Sequence, residues 1–182
     1  MRATGREFVG GIVTYGASSE TAVSSGTSTG TVTSLAYLVG SATSTHYAKV
    51  LSIDVSWAGG AGGNPCLLKV RYISALNGTE GGTANTAVGS YLPDTAGADA
   101  QIRMVSGANA PTRASGNWDM AIISVANPGS YHFDYIATFD AKAPIIRPSV
   151  LEGWEVSLTN DGTTAPTTAA SFVTVIKWAQ VK

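Results

Sequence analysis

The stretch Leu51-Ser-Ile-Asp-Val-Ser-Trp57 alternates apolar and polar residues at every position. Successive side chains of a β-strand point to opposite faces, so Leu51, Trp57 and the two apolar residues between them would share one face. The serines and the aspartate would lie on the other face. One apolar and one polar face are typical of a half-buried antiparallel strand, and the pattern predicts such a strand over residues 47–57.

Other β-forming segments surround this strand and are separated by tracts of Gly, Ser, Thr, Ala and Asn. No window longer than about ten residues has a helical apolar period with suitable caps, and Asp94 to Met104 predicts at most one short helical turn. Strands joined by loops, without alternating helices, predict an all-β fold built as a single antiparallel β-sandwich, and the pattern leaves jelly-roll and immunoglobulin-like forms open. The further strands are expected at residues 8–15, 31–39, 67–75, 101–106, 118–126, 131–139, 154–159 and 171–178.

The N-terminal part of the chain has a composition of its own. Its first apolar segment contains Phe8, Val9, Ile12, Val13 and Tyr15, and a Ser/Thr/Gly tract follows from Gly16 to Gly30. Such a tract is typical of a flexible linker. We therefore expect residues 1–30 to form an arm and linker, and residues 31–182 to form the sandwich domain. A lone tethered strand could pair with the sheet edge of a neighbouring subunit.

Charge is scarce in this chain. Asp, Glu, Lys and Arg make up 13% of its 182 residues, with a formal net charge of -1, whereas soluble domains average roughly 25% charged residues. No basic stripe is present to neutralise phosphates, so we expect no nucleic-acid partner. Low charge also favours close assembly of protein surfaces. No apolar run indicates a membrane span or an export signal, so we expect no membrane partner and synthesis in the cytoplasm.

Residues that could carry chemistry are few. Ser130, His132 and Asp134 would project from one face of a strand, roughly 6 to 7 Å apart, which is too far for a catalytic triad. His46 is the only other histidine, and the single cysteine, Cys66, is expected in the core. We expect no cofactor, no metal site and no enzymatic activity. A calcium ion held by converging loops stays open as an alternative.

The four tryptophans divide into two groups. Trp57 and Trp178 fall in register with apolar neighbours, which predicts core packing. Trp118 and Trp154 stand at loop–strand junctions, where each ring either packs internally or, if exposed, could stack on a sugar or on a neighbouring subunit. These two residues are the candidate recognition surface.

Several short motifs lie along the second part of the chain. They are Leu68-Lys-Val-Arg-Tyr-Ile-Ser74, Gly81-Gly-Thr83, Leu92-Pro-Asp94 with Ala98-Asp-Ala-Gln-Ile-Arg103, Ala143-Pro-Ile-Ile-Arg-Pro-Ser-Val-Leu-Glu-Gly-Trp-Glu-Val-Ser-Leu158, and Val175-Ile-Lys-Trp178. Together these motifs, over roughly residues 47–182, resemble the small jelly-roll virion proteins of tailed bacteriophages. The resemblance implies a jelly-roll fold and a structural virion role, such as a capsid decoration or cement protein, without catalytic residues.

Two functional hypotheses follow. The first is a decoration protein on the capsid surface of the virion, acting as a homo-oligomer, preferably a trimer, against the major capsid protein or other virion proteins. The alternative is a carbohydrate-binding or receptor-binding module of a phage tail or fibre, with Trp118 and Trp154 contacting the glycan.

Overall fold

The computed structural model describes residues 13–23, 32–59, 65–75, 84–85, 88–89, 103–106, 112–116, 118–135, 143–160 and 170–181. Within these ranges the chain contains β-strands and no helix, arranged as two antiparallel sheets that pack together. The all-β sandwich predicted from the sequence is confirmed.

Sheet A has six strands and sheet B has seven. The strands of sheet A are β1 (Val13–Val23), β3 (Tyr47–Trp57), β6 (Val88–Gly89), β10 (Gly129–Asp134), β11 (Ile145–Ile146) and β13 (Ala170–Val181). They lie in the order β10-β3-β13-β1-β6, and β11 also pairs with β3.

The strands of sheet B are β2 (Val32–Val39), β4 (Pro65–Ala75), β5 (Ala84–Asn85), β7 (Arg103–Ser106), β8 (Thr112–Arg113), β9 (Asp119–Ser124) and β12 (Gly153–Asn160). They lie in the order β5-β7-β2-β12-β4-β8, and β9 also pairs with β4.

The principal strands pair in a nested order along the chain. β1 pairs with β13, β2 with β12, β3 with β10, and β4 with β9, all antiparallel. The outermost pair joins the first and last described strands, and each inner pair lies closer in sequence. The two late strands also occupy central places: β13 lies between β1 and β3, and β12 lies between β2 and β4.

The core fills the space between the inner faces of the two sheets. Trp178 and Cys66 are fully buried and Trp57 is 8% exposed, which confirms their predicted core positions. The Trp57 indole N–H donates to the carbonyls of Ser124 and Asn127, at 3.1 and 2.8 Å, so this ring also fixes the connection between β9 and β10. Burial of these large side chains supplies the main driving force for closing the sandwich.

Strand β3 has the predicted limits but carries a bulge that the alternation does not reveal. Lys177 of β13 is opposite Ser52, and Trp178 is opposite Val50, so Leu51 is an extra residue on β3. A bulge of one residue changes which side chains point inward. Val50 is fully buried and Leu51 only half-buried. The prediction that Leu51 shares the fully buried face is therefore wrong.

Strand β1 differs from the expected arm and linker. It runs from Val13 to Val23 and pairs with β13 along its whole length, with Tyr15 and Gly16 also opposite β6. A linker beginning at Gly16 is therefore wrong for residues 16–23. The backbone partners of Val13 and Tyr15 lie in the same chain, which removes the reason to expect these two residues in an arm. Phe8, Val9 and Ile12 lie outside the described residues, and their role as an arm stays a prediction.

Candidate functional site

Trp154 closes one end of the sandwich. It lies at the start of β12 in sheet B, is 6% exposed, and packs in the core. Its indole N–H donates to the carbonyl of Ile145, on β11 of sheet A, at 2.8 Å. A buried indole N–H needs such a partner, and here the bond joins the two sheets. Trp154 therefore follows the packing alternative and not the recognition alternative, because its ring and its N–H both make contacts within the sandwich.

Trp118 lies outside Trp154 and remains 47% exposed. The two indoles meet edge to face, with centroids 5.1 Å apart and planes at 69°. Trp154 also meets Tyr72 edge to face, at 5.5 Å and 67°. Both contacts have favourable aromatic geometry. The predicted recognition pair is therefore in contact, but Trp118 alone presents its ring to the outside, with Trp154 as its support.

The segment leading to Trp118 is fastened to sheet B at several points. We call residues 112–116 together with Trp118 the strap. The amide of Ala114 donates to the carbonyl of Tyr72 at 3.0 Å, and the amide of Trp118 donates to the carbonyl of Val70 at 2.8 Å. The guanidinium of Arg113 forms a third attachment, to Glu155 on β12. The strap thus holds Trp118 in a defined position on Trp154.

Glu155 is a fully buried carboxylate on the central strand of sheet B. Arg113 binds it through two bonds, from Nε at 2.6 Å and from Nη2 at 2.7 Å, and the Ser34 hydroxyl also donates to it. The hydrogen bonds and charge of Glu155 outweigh the burial of Arg113 and raise the pKa of its guanidinium. A buried carboxylate needs such pairing because an unpaired buried charge is strongly unfavourable.

Glu152 is the second buried carboxylate, three residues earlier and 3% exposed. It accepts hydrogen bonds from the Arg147 amide at 2.7 Å, from Arg147 Nη2 at 2.6 Å, and from the Tyr72 hydroxyl at 2.6 Å. Burial acts to raise the pKa of Glu152, but the bonds from Arg147 and Tyr72 outweigh it and hold the pKa below its ordinary value of 4.5. The carboxylate therefore stays ionised and fixes the loop before β12.

A polar row crosses the outer face of sheet A. Ser130, His132 and Asp134 are exposed along β10, as the sequence predicts. His132 Nδ1 lies 2.5 Å from Asp54 Oδ1, and Lys177 Nζ lies 3.5 Å from the other oxygen of Asp54. The histidine therefore pairs with Asp54 across two neighbouring strands, β10 and β3. Exposed pairs of this kind contribute little to stability.

In the described ranges, no group of three His, Cys, Asp or Glu side chains could hold a metal ion. No helix in the part of the chain that the structure covers is long and apolar enough to cross a membrane.

Sequence reasoning missed both buried glutamates. Glu155 alternates with apolar residues on its strand, a pattern that indicates a solvent-facing side chain, and its partner Arg113 lies 42 residues away. Glu152 had a usable signal, because Arg147 precedes it by five residues across a Pro-containing turn. Of the two ion pairs at the candidate site, the sequence could therefore have indicated Arg147–Glu152 but not Arg113–Glu155.

The chain matches no protein-family model, and no curated protein sequence matches it.

Proposed function

We propose that this chain is a structural virion protein of a tailed bacteriophage, a capsid decoration or cement protein with a jelly-roll sandwich. The nested strand pairing carries this proposal. With the principal strands numbered one to eight along the chain, the pairs are first with eighth, second with seventh, third with sixth, and fourth with fifth. Eight strands in two sheets with paired Greek keys define the jelly roll, a fold frequent in viral capsid proteins.

The stretch that resembles phage virion proteins supports the proposal through its place in the fold. Residues 143–158 and 175–178 supply β11, most of β12 and part of β13. β12 and β13 are the central strands of their sheets. The similarity therefore falls on the segments that determine the architecture. Fold alone does not assign a function, so the virion role depends on the resemblance together with the topology.

In this proposal the protein acts by binding other virion proteins and not by catalysing a reaction. A net charge of -1 spread over few charged side chains lowers the cost of bringing surfaces together. The exposed apolar side chains Met120 and Ile122, 51% and 72% exposed on β9, are groups that a protein contact would cover. In the proposal the protein assembles as a homotrimer on the outside of the shell and binds the major capsid protein. It requires no cofactor and no catalytic residue.

Location within the particle tests the proposal directly. Purified particles are separated into heads and tails, and the protein is quantified in each fraction by mass spectrometry, with the major capsid protein as the internal standard. We expect it in heads, in a fixed ratio to the capsid protein, and we expect imaging to place it on the outer surface. Detection in tails alone, or in infected cells without any in particles, would contradict the decoration role.

A further inference from the structure

We propose that two copies of this chain associate through the edge strand β9, in antiparallel pairing about a two-fold axis at Ile122. The contact goes beyond the proposed virion role and does not depend on it. Three properties of β9 support it: the exposure of its apolar side chains, the hydrogen bonding of its backbone, and the distribution of charge around it.

Strand β9 lies at one edge of sheet B. Its strand partner in the described part of the chain is β4, which has β12 on its other side. Met120 and Ile122 point away from the core and are 51% and 72% exposed, whereas Ala121 and Ile123 are buried. A sheet edge with exposed apolar side chains is a template for pairing with another chain.

Strand β10, which follows β9 and forms an edge of sheet A, has the opposite character. It pairs with β3 and exposes Ser130, His132 and Asp134. Polar and charged side chains on an edge strand oppose pairing with another chain, because association would bury them. From Met120 to Ser124, β9 has no charged residue, no proline and no glycine. β9 therefore lacks the protection that β10 has.

The backbone of β9 places the centre of the pairing at Ile122. The Met120 amide donates to the carboxylate of Asp119 at 2.8 Å, and the Ser124 carbonyl accepts the Trp57 indole N–H at 3.1 Å. Both groups thus have partners outside the ladder with β4. Because backbone groups alternate sides along a strand, the amide and carbonyl of Ile122, halfway between them, point to the same edge. In an antiparallel pair centred there, each copy donates its Ile122 amide to the Ile122 carbonyl of the other copy.

The same register covers the exposed apolar side chains. It places the two Ile122 side chains directly opposite each other, and Met120 opposite Ser124 of the second copy. Met120 is then diagonal to Ile122 of the second copy, within reach of a long side chain. One patch therefore meets itself, as a two-fold contact requires. A contact of this kind does not close a trimer, so in the proposed assembly it joins copies that belong to different trimers.

The charge around β9 permits this contact. Lys69 lies opposite Met120 on β4, one strand away from the edge. In the pair, three strand spacings of about 4.8 Å separate the β4 strands of the two copies, so their Lys69 residues are at least about 14 Å apart. This distance exceeds the screening length of about 8 Å at physiological ionic strength.

The small area of β9 makes this a weak contact. A stable interface buries about 1,200–2,000 Å² in total, which one six-residue strand per copy does not reach. We expect a dissociation constant of about 0.1–1 mM for the purified protein. Copies held side by side on a surface have effective concentrations of about 1 mM, so the contact forms more readily there.

Disulfide trapping of the full-length protein tests the register. Ile122→Cys places two thiols at the two-fold axis, where the opposite Cα atoms, about 5.5 Å apart, allow a disulfide. Ser130→Cys, which places a thiol on the exposed edge strand β10, is the matched control, and the native Cys66 is fully buried. At about 0.5 mM protein under mild oxidation, a denaturing gel should show two-chain product at least about tenfold faster for Ile122→Cys than for Ser130→Cys.

Sedimentation velocity tests the association itself. The weight-average mass should rise between about 10 µM and about 1 mM protein. Ile122→Lys puts two like charges opposite each other and should weaken this association at least about tenfold. Val173→Lys makes the same change of charge at a 38% exposed position on β13, so it is the control and should associate as the wild type does.

Three outcomes would overturn the proposal. They are equal rates of two-chain product from Ile122→Cys and Ser130→Cys, a rise in mass that Ile122→Lys leaves unchanged, and no rise in mass up to about 1 mM protein. These measurements use purified protein without particles, so a failure here leaves the head-and-tail measurement as a separate test of the virion role.

Discussion

Two arginine–glutamate pairs in the described part of the chain, Arg147–Glu152 and Arg113–Glu155, use the same chemistry in different settings. Glu152 and Glu155 are three residues apart, and both are almost completely buried. Arg147, the partner of Glu152, comes from the same loop and keeps 60% of its side chain exposed. Arg113, the partner of Glu155, comes from a distant segment, and its side chain is 22% exposed.

This difference separates a local from a long-range interaction. Glu152 retains two donors without the Arg147 side chain, since the Arg147 amide and the Tyr72 hydroxyl also bind it. Glu155 receives two of its hydrogen bonds from Arg113, and the Ser34 hydroxyl also donates to it. We infer that the Arg147–Glu152 pair shapes one loop, whereas the Arg113–Glu155 pair holds the strap against sheet B.

The largest loss of folding stability is expected from substitution of Arg113. Arg113→Met removes two hydrogen bonds and the paired cation from a fully buried carboxylate, and it leaves Arg71, opposite Glu155 on β4, as a nearby positive charge. Breaking a buried pair costs about 3–5 kcal/mol of the free energy of unfolding. Urea denaturation monitored by far-UV circular dichroism measures this loss.

The control is the double variant Arg113→Met, Glu155→Leu, which removes both charges. It should recover most of the lost stability, because an apolar pair of similar volume is nearly neutral relative to a buried ion pair. A loss below about 1 kcal/mol in the single variant would show that Glu155 finds another partner and that the strap does not depend on this pair.

Arg147→Met should destabilise the protein less than Arg113→Met, although it removes the same guanidinium from a carboxylate that is equally buried. The Arg147 amide and the Tyr72 hydroxyl remain as donors to Glu152, so the carboxylate is not left unsatisfied. The same urea titration ranks the two variants. Equal losses would mean that the exposed side chain of Arg147 matters as much as the enclosed side chain of Arg113, which would remove the distinction drawn between the pairs.

Acid titration gives the smallest effect and addresses Glu152 alone. Its pKa in the folded protein lies below the ordinary value of 4.5. A carboxyl with a lowered folded pKa contributes stability that is fully present above its unfolded pKa and is lost as the pH falls through the folded pKa. The stability difference between wild type and Glu152→Gln should therefore shrink when urea midpoints are followed from about pH 7 to about pH 3. A difference that stays constant over this range would contradict the assigned role of the Glu152 charge.

The sequence predicted the strands that alternate or contain many β-forming residues. The limits of β3 agree with the prediction, and the inward face of β13, with Phe172, Ile176 and Trp178, is buried as expected. Strand β1 was placed too early because residues 16–23 are mostly Gly, Ala, Ser and Thr, a composition typical of linkers. The strand forms because its backbone pairs with β13, and this long-range pairing cannot be predicted from the composition of residues 16–23.

The candidate site was predicted in its residue types but not in its arrangement. The sequence singles out Trp118 and Trp154 as a pair, but only the structure shows that the two rings are in contact and that Trp154 lies beneath Trp118. The bulge at Leu51 depends on the register of two strands more than a hundred residues apart, which no local pattern contains. The burial of Glu155 likewise depends on Arg113, so it is a property of the tertiary fold.

The position of β12 and β13 has a consequence for synthesis on the ribosome. β1 and β3 have β13 between them, and β2 and β4 have β12 between them. Chains emerge with the N-terminus first, so the four early strands leave the ribosome without their central neighbours. Both sheets stay divided until residues 153–181 have been made. The nascent chain thus exposes unpaired strand edges until β12 and β13 have been made, and neither sheet is continuous before then.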